Sequence, residues 1–170
     1  MKLEEIEIAI MIEAKYNVNI VVPNVRWGIT RVVTNSNGKP EYHSLHECDI
    51  LKVTPAGIAT EYEIKTSKND FKADFKKTHK HNSNFISYFY YVVPKNLLEY
   101  VKENLPKDAG LIYLDNNKVF YAVKAPKKKS WKWRQEEMFK LAKLGTMRIK
   151  RIKEKLLKEV QRNYEINNKS

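Results

Sequence analysis

The chain reads as an α/β domain, and three features of its 170 residues carry that reading. Apolar and charged residues alternate with a period near two over Leu45–Thr54 and again over Ile58–Lys65, which marks two strands. Leu3, Ile6, Ile10 and Ala14 recur at helical spacing ahead of them, and a second helical pattern, Lys68–His81, follows them. A further strand signal, Phe85–Val93, comes after that helix and closes at Pro94. Strands interleaved with helices in this way form a mixed sheet flanked by helices.

The first helix spans residues 3–16. Glu7 lies inside its apolar stripe and points inward with it, and a buried lone carboxylate is costly unless it is paired or binds a metal. Asn19–Val25 reads as a strand ending near Trp27-Gly28, and the turn-rich residues 34–44 read as a surface loop. In the central hairpin, Pro55-Ala56-Gly57 supplies the short connection, its glycine able to take the positive φ that three-residue loops need. If Thr54 pairs with Ile58, Asp49 falls opposite Glu63, with Cβ atoms about 4.5–5.5 Å apart. Like charges so placed repel, and a divalent cation would offset the repulsion; Lys65, two residues on, shares their face. Ser67 suits the N-cap of the next helix. On that helix Asp70, Asp74, Lys77 and His81 form a polar stripe, and Phe71, Phe75 and Thr78 form the stripe that packs on the sheet. Asn96–Asn104 reads as a short helix, and two strands over 110–115 and 118–123 flank an Asn116-Asn117 turn. From about Gln135, Met138, Leu141, Leu144, Ile149, Ile152, Leu156, Leu157 and Val160 read as helix with an interruption at Gly145.

Charge is unevenly spread. The net charge is +12, and residues 124–170 hold 16 Lys and Arg against 5 Asp and Glu, while the rest of the chain is nearly balanced. Two regions are therefore expected: a core over 1–125 and a basic helical extension over 126–170. Such asymmetry points to a polyanionic partner, with nucleic acid the usual one. Lys127, Lys128, Lys129, Arg134 and Arg148 are the expected backbone contacts, and Trp131 and Trp133 are expected to pack. The single cysteine, Cys48, forbids an internal disulfide and suits a reducing cytoplasm, where it serves as a small apolar filler. The opening Met-Lys-Leu-Glu-Glu is too acidic for a signal peptide, and no apolar run is long enough to cross a membrane.

Asp49…Glu63-Ile64-Lys65 resembles the PD-(D/E)XK nuclease signature. The run Glu63–Phe71 with Asp74 and Lys77 is similar to the MmcB-type DNA-repair branch and its phage-encoded relatives. So are Pro23–Gly28, His46-Glu47-Cys48-Asp49, Tyr90–Pro94 and Leu144–Arg148. The resemblance implies a restriction-endonuclease-like core, αβββαβ, with an added hairpin and the basic helical C-terminal segment. It further implies a DNA endonuclease of the bacterial cytoplasm, or of the host cytoplasm if phage-encoded. Asp49 and Glu63 would hold Mg²⁺, or Mn²⁺ in its place, with the Ile64 carbonyl and a first-helix carboxylate, Glu7 or else Glu5 or Glu13. Lys65 would stabilise developing charge or position the attacking water. His46, Ser67, Asp70, Lys77 and His81 would take secondary roles around the site. A catalytically inactive DNA-binding protein on the same fold is the alternative, and an RNA substrate or a homodimer is compatible with the same residues.

Overall fold

The computed structural model describes residues 2–14, 19–25, 29–76, 81 and 83–167, with the backbone alone at 151–152, 155–156, 159 and 162–167. Six strands form one mixed sheet in the order β1-β4-β5-β6-β7-β8: β1 Ile20–Val25, β4 Cys48–Val53, β5 Ala59–Ile64, β6 Tyr88–Pro94, β7 Gly110–Asp115 and β8 Lys118–Val123. β5, β6 and β7 run parallel, while β1, β4 and β5 pair antiparallel, as do β7 and β8. The helices are α1 Leu3–Ala14, α2 Lys68–Asp74, α3 Leu98–Glu103 and α4 Gln135–Asn167, and a 3₁₀ turn, Lys95–Leu97, leads into α3.

α1 covers one face of the sheet. Ile6, Ile10 and Ala14 pack on Ile50, Tyr62, Ile64, Val92 and Ile112. On the other face, Phe71 of α2 and Val101 of α3 join Phe89, Tyr91, Val93 and Leu111. Trp133 and Leu141 complete a third cluster over Val22, Leu51, Val53, Ala59 and Phe85. Trp131, Met138 and Leu144 pack against the same cluster: α4 lies along β1, and Gly145 brings it close, since a Cβ there would meet Val22 at 3.1 Å.

Several expectations change. Residues 34–44 are not a loop: β2 Thr30–Thr34 and β3 Pro40–Ser44 form a two-stranded hairpin beside the main sheet. Its Asn35 side chain accepts from the amides of Asn37 and Lys39, so the residues that looked like loop signals build only the turn. α2 ends at Asp74 rather than His81, and His81 sits in a turn at φ 49°. Phe75 is exposed instead of packed, and Asp74 is buried instead of solvated. β6 starts at Tyr88, with Phe85 and Ile86 buried in the preceding turn. α4 runs through Gly145 without interruption. Lys77, together with Arg26-Trp27-Gly28, lies outside the described residues.

Candidate metal and catalytic site

β5 is the central strand, and every one of its residues is buried. Paired to β4 on one side and β6 on the other, it turns Tyr62 and Ile64 toward α1 and Glu61 and Glu63 toward the opposite face. A carboxylate at such a position is tolerated only with partners that repay its lost hydration.

The hairpin register matches the count from the turn. Thr54 N donates to Ile58 O at 3.0 Å, and the pairing runs from Val53 against Ala59 to Ile50 against Tyr62, one residue short of Asp49 and Glu63. Asp49 Oδ2 then accepts from the Ile64 amide at 2.8 Å, which anchors its carboxylate at the end of β5. Lys65 follows on the same face and is buried; its Nζ donates to Glu63 Oε1 at 2.8 Å and lies 3.0 Å from Asp74 Oδ1. Burial works against the ammonium, but Glu63 and Asp74 outweigh it and hold its pKa above the ordinary lysine value. Asp70, exposed on α2, stands 3.6 Å from the same nitrogen. Ser67 caps α2, its Oγ accepting from the Asp70 amide at 3.1 Å.

Glu61 was not among the residues singled out from sequence, and it is the centre of the cluster. Its Oε1 lies 2.8 Å from His46 Nε2 and 2.8 Å from His81 Nδ1. Burial would raise its pKa, but the two histidines reverse the sign and leave it below the usual carboxylate value. Its other oxygen, Oε2, is enclosed and has no hydrogen-bond partner among the described residues. An unsatisfied buried acceptor of this kind costs on the order of 1–3 kcal/mol, and more when charged.

His81 joins Glu61 to Asp74. Its Nε2 lies 2.6 Å from Asp74 Oδ2, which also accepts from the Tyr91 hydroxyl at 2.7 Å. Burial opposes the imidazolium, yet the bonds to Asp74 and Glu61 raise the His81 pKa to about 9. The Phe89 ring stacks on the imidazole at 4.4 Å. Burial and Asp74 push the Tyr91 phenol up as well, so it remains a donor. Cys48 is fully buried, and burial with the surrounding carboxylates raises its thiol well above the usual value, in keeping with an inert filler.

Two groups of ligand atoms lie within 4.8 Å of one another: His46, Cys48 and Glu61 in one, Glu61, Glu63 and His81 in the other. Among the described residues His46, Lys65 and His81 are paired with carboxylates of this cluster. The bare Glu61 oxygen fits a divalent cation. A cleft of about 680 Å³ opens past Asp74, His81, Phe89 and Tyr91, and a polar one of about 360 Å³ past His43, His46 and Ser83.

Other expected site residues fall elsewhere. Glu7 is half-buried on α1 and accepts from Asn24 Nδ2 at 3.1 Å, outside both groups; burial and Glu4 raise its pKa. Glu5 accepts from the Lys2 amide, and Glu13 is exposed. Lys127, Lys129 and Arg134 are exposed. Lys128 is paired with Asp108 at 2.8 Å and lies over the Phe89 ring, and Arg148 donates to the Asn24 carbonyl at 2.7 Å. Trp133 packs as expected, donating to Phe85 O at 2.8 Å.

No protein-family model and no curated protein matches the chain. Among solved structures it is similar to the SPO1766 protein of unknown function from Silicibacter pomeroyi. The TM-score is 0.51 at 20% identity, over 81% of this chain and 79% of that one, and the likeness is one of fold.

Proposed function

We propose that the chain is a divalent-cation-dependent DNA endonuclease with a restriction-endonuclease-like core, working from Asp49, Glu63 and Lys65. The observation that carries the reading is the Asp49 carboxylate held by the Ile64 amide beside Glu63, with the Lys65 ammonium 2.8 Å from Glu63. Asp49 and Glu63 are the residues that would hold the ion, which when bound would supply Lewis-acid polarisation of the phosphodiester and a more acidic attacking water. Lys65 remains protonated and offers a fixed positive charge where negative charge develops in the transition state. Asp74, held by Tyr91 and His81, fixes the position of that ammonium. The basic surface of the C-terminal segment attracts the polyanion, and DNA is the partner its charge fits.

Purified protein with Mg²⁺ or Mn²⁺ should cleave one or more of single-stranded, duplex, flap and four-way DNA. Asp49→Asn and Glu63→Gln should each abolish cleavage with the fold intact, and Lys65→Ala should slow it ~10²-fold or more at unchanged DNA affinity. Full activity in either carboxylate variant removes the assignment. One observation favours a second reading, a DNA-binding protein without catalysis: Lys65 is already neutralised by Glu63 and Asp74. DNA binding without cleavage under any divalent ion, and unchanged in all three variants, would establish that reading instead.

A further inference from the structure

We infer that Glu61, Glu63 and His81 form a cation position of their own, beside the one proposed at Asp49 and Glu63, and that it takes a first-row transition ion in preference to Mg²⁺. The inference rests on the metal-dependent reading in one respect: Glu63 is common to both positions.

Four observations lead there. The ligand atoms of Glu61, Glu63 and His81 lie within 4.8 Å of one another, and all three side chains are buried. Glu61 is wholly enclosed, and its Oε2 has no hydrogen-bond partner among the described residues. An ion is the partner that a bare anionic oxygen in an acidic cluster calls for, because any further carboxylate would repel it.

The third observation is the setting of the imidazole. Asp74 Oδ2 lies 2.6 Å from His81 Nε2, so a proton held there points Nδ1, with its lone pair, toward Glu61. A carboxylate that fixes the tautomer of a histidine from behind is the usual support of a metal-binding imidazole. Asp74 is itself held by Tyr91 and Lys65, and Phe89 stacks on the ring, which leaves the imidazole little freedom to turn. The fourth is access: a cleft of about 680 Å³ lined by His81 and Asp74 reaches the imidazole from outside.

The donor set decides the class of ion. Mg²⁺ favours oxygen ligands, whereas an imidazole nitrogen among carboxylates suits the first-row transition ions. Without an ion, His81 can serve instead as an imidazolium bridge between Glu61 and Asp74, and the two arrangements differ in a measurable way.

The test is electron spin-echo envelope modulation on the full-length protein loaded with Mn²⁺ alone, with affinity measured by calorimetry. The wild type should show imidazole nitrogen modulation that excess Mg²⁺ does not remove. The signal should vanish in His81→Asn and persist in Asp49→Asn, and Glu61→Gln should weaken Mn²⁺ binding by at least ~10-fold. Bound Mn²⁺ without nitrogen modulation, or modulation that survives in His81→Asn, overturns the inference. If His81→Asn does not fold, the wild-type spectrum and the Glu61→Gln affinity decide, and an unchanged affinity counts against the site. Cleavage without a nitrogen signal leaves the nuclease reading standing alone; a nitrogen signal without cleavage does the reverse.

Discussion

Arg31 and Glu137 show how one buried pair governs part of the stability. Arg31 Nε donates to Glu137 Oε1 at 2.7 Å and its Nη2 to the Lys132 carbonyl at 2.8 Å, with the guanidinium over the Trp131 ring. Burial would raise the Glu137 pKa, but Arg31 and the Arg134 amide lower it below the ordinary value. A depressed carboxylate pKa adds stability that is present above the unfolded value, about 4.3, and is lost as the pH falls through the folded value. Melting temperatures between pH 7 and pH 3 should therefore fall more steeply for the wild type than for Glu137→Gln at the acid end. Glu137→Ala should cost ~3–5 kcal/mol at neutral pH by stranding Arg31; equal acid slopes would show that the pair is not responsible. The β4–β5 register was legible from sequence because it needs only a count from Pro55-Ala56-Gly57. Glu61 was not, because a carboxylate two residues from another on a strand looks like a solvated face. Its burial is decided by the parallel neighbour β6, which no local pattern announces. His81 was singled out, but as part of a helical stripe, whereas a turn beyond α2 delivers it.

At the scale of elements, the β4–β5 turn is docked as tightly as the strands. Gly57 has φ 75°, its carbonyl accepts from the Trp133 amide at 2.9 Å, and a Cβ there would stand 2.7 Å from the Trp133 carbonyl oxygen. Gly57→Ala should cost more than the ~1–2 kcal/mol of a left-handed alanine, since the backbone of the 133 region must move too. Gly38→Ala, with the same φ of 75° but nothing within 4 Å, should cost the strain alone. Urea unfolding of the two variants measures the difference, and equal losses would mean the contact with Trp133 carries no weight. The sequence named the type of most elements, and it failed where ends are set from outside. α2 stops short because Asp74 is drawn inward to Lys65, His81 and Tyr91. The β2–β3 pairing is held to the body by Arg31, a link to a residue 106 positions away.

For the whole molecule, the charge asymmetry survives folding, but not every lysine in it is free to meet a phosphate. Lys128 serves Asp108, whose pKa it lowers, while Lys127 and Lys129 are exposed. If DNA is bound here, affinity should fall with salt at a slope near −0.9 per neutralised phosphate, and replacing Lys127 and Lys129 with Gln should flatten that slope by up to ~2. Lys128→Gln should show its effect in thermal stability more than in the slope. Should the double substitution leave the slope unchanged, the phosphate contacts lie elsewhere, with the exposed lysines of α2 next to be replaced. Binding titrations at several salt concentrations provide the measurement. The basic composition of this segment was plain from sequence, and so was its helix. That Trp133 packs was expected as well; which strands it and Leu141 cover was not, because nothing local reveals which strand a distant helix will cover.

That cover has a consequence for how the chain is made. The cluster that Trp133 and Leu141 close is otherwise built from residues between Val22 and Ile86. During synthesis the early strands are released first, and they wait with Val22, Leu51, Ala59 and Phe85 uncovered while the rest is translated. Contacts of such long sequence separation form late and slowly, and apolar strands left waiting are open to association with other chains. Completion of the fold is therefore tied to the translation of Trp133 and Leu141, and a ribosome stalled before Trp133 holds a sheet that still lacks its cover.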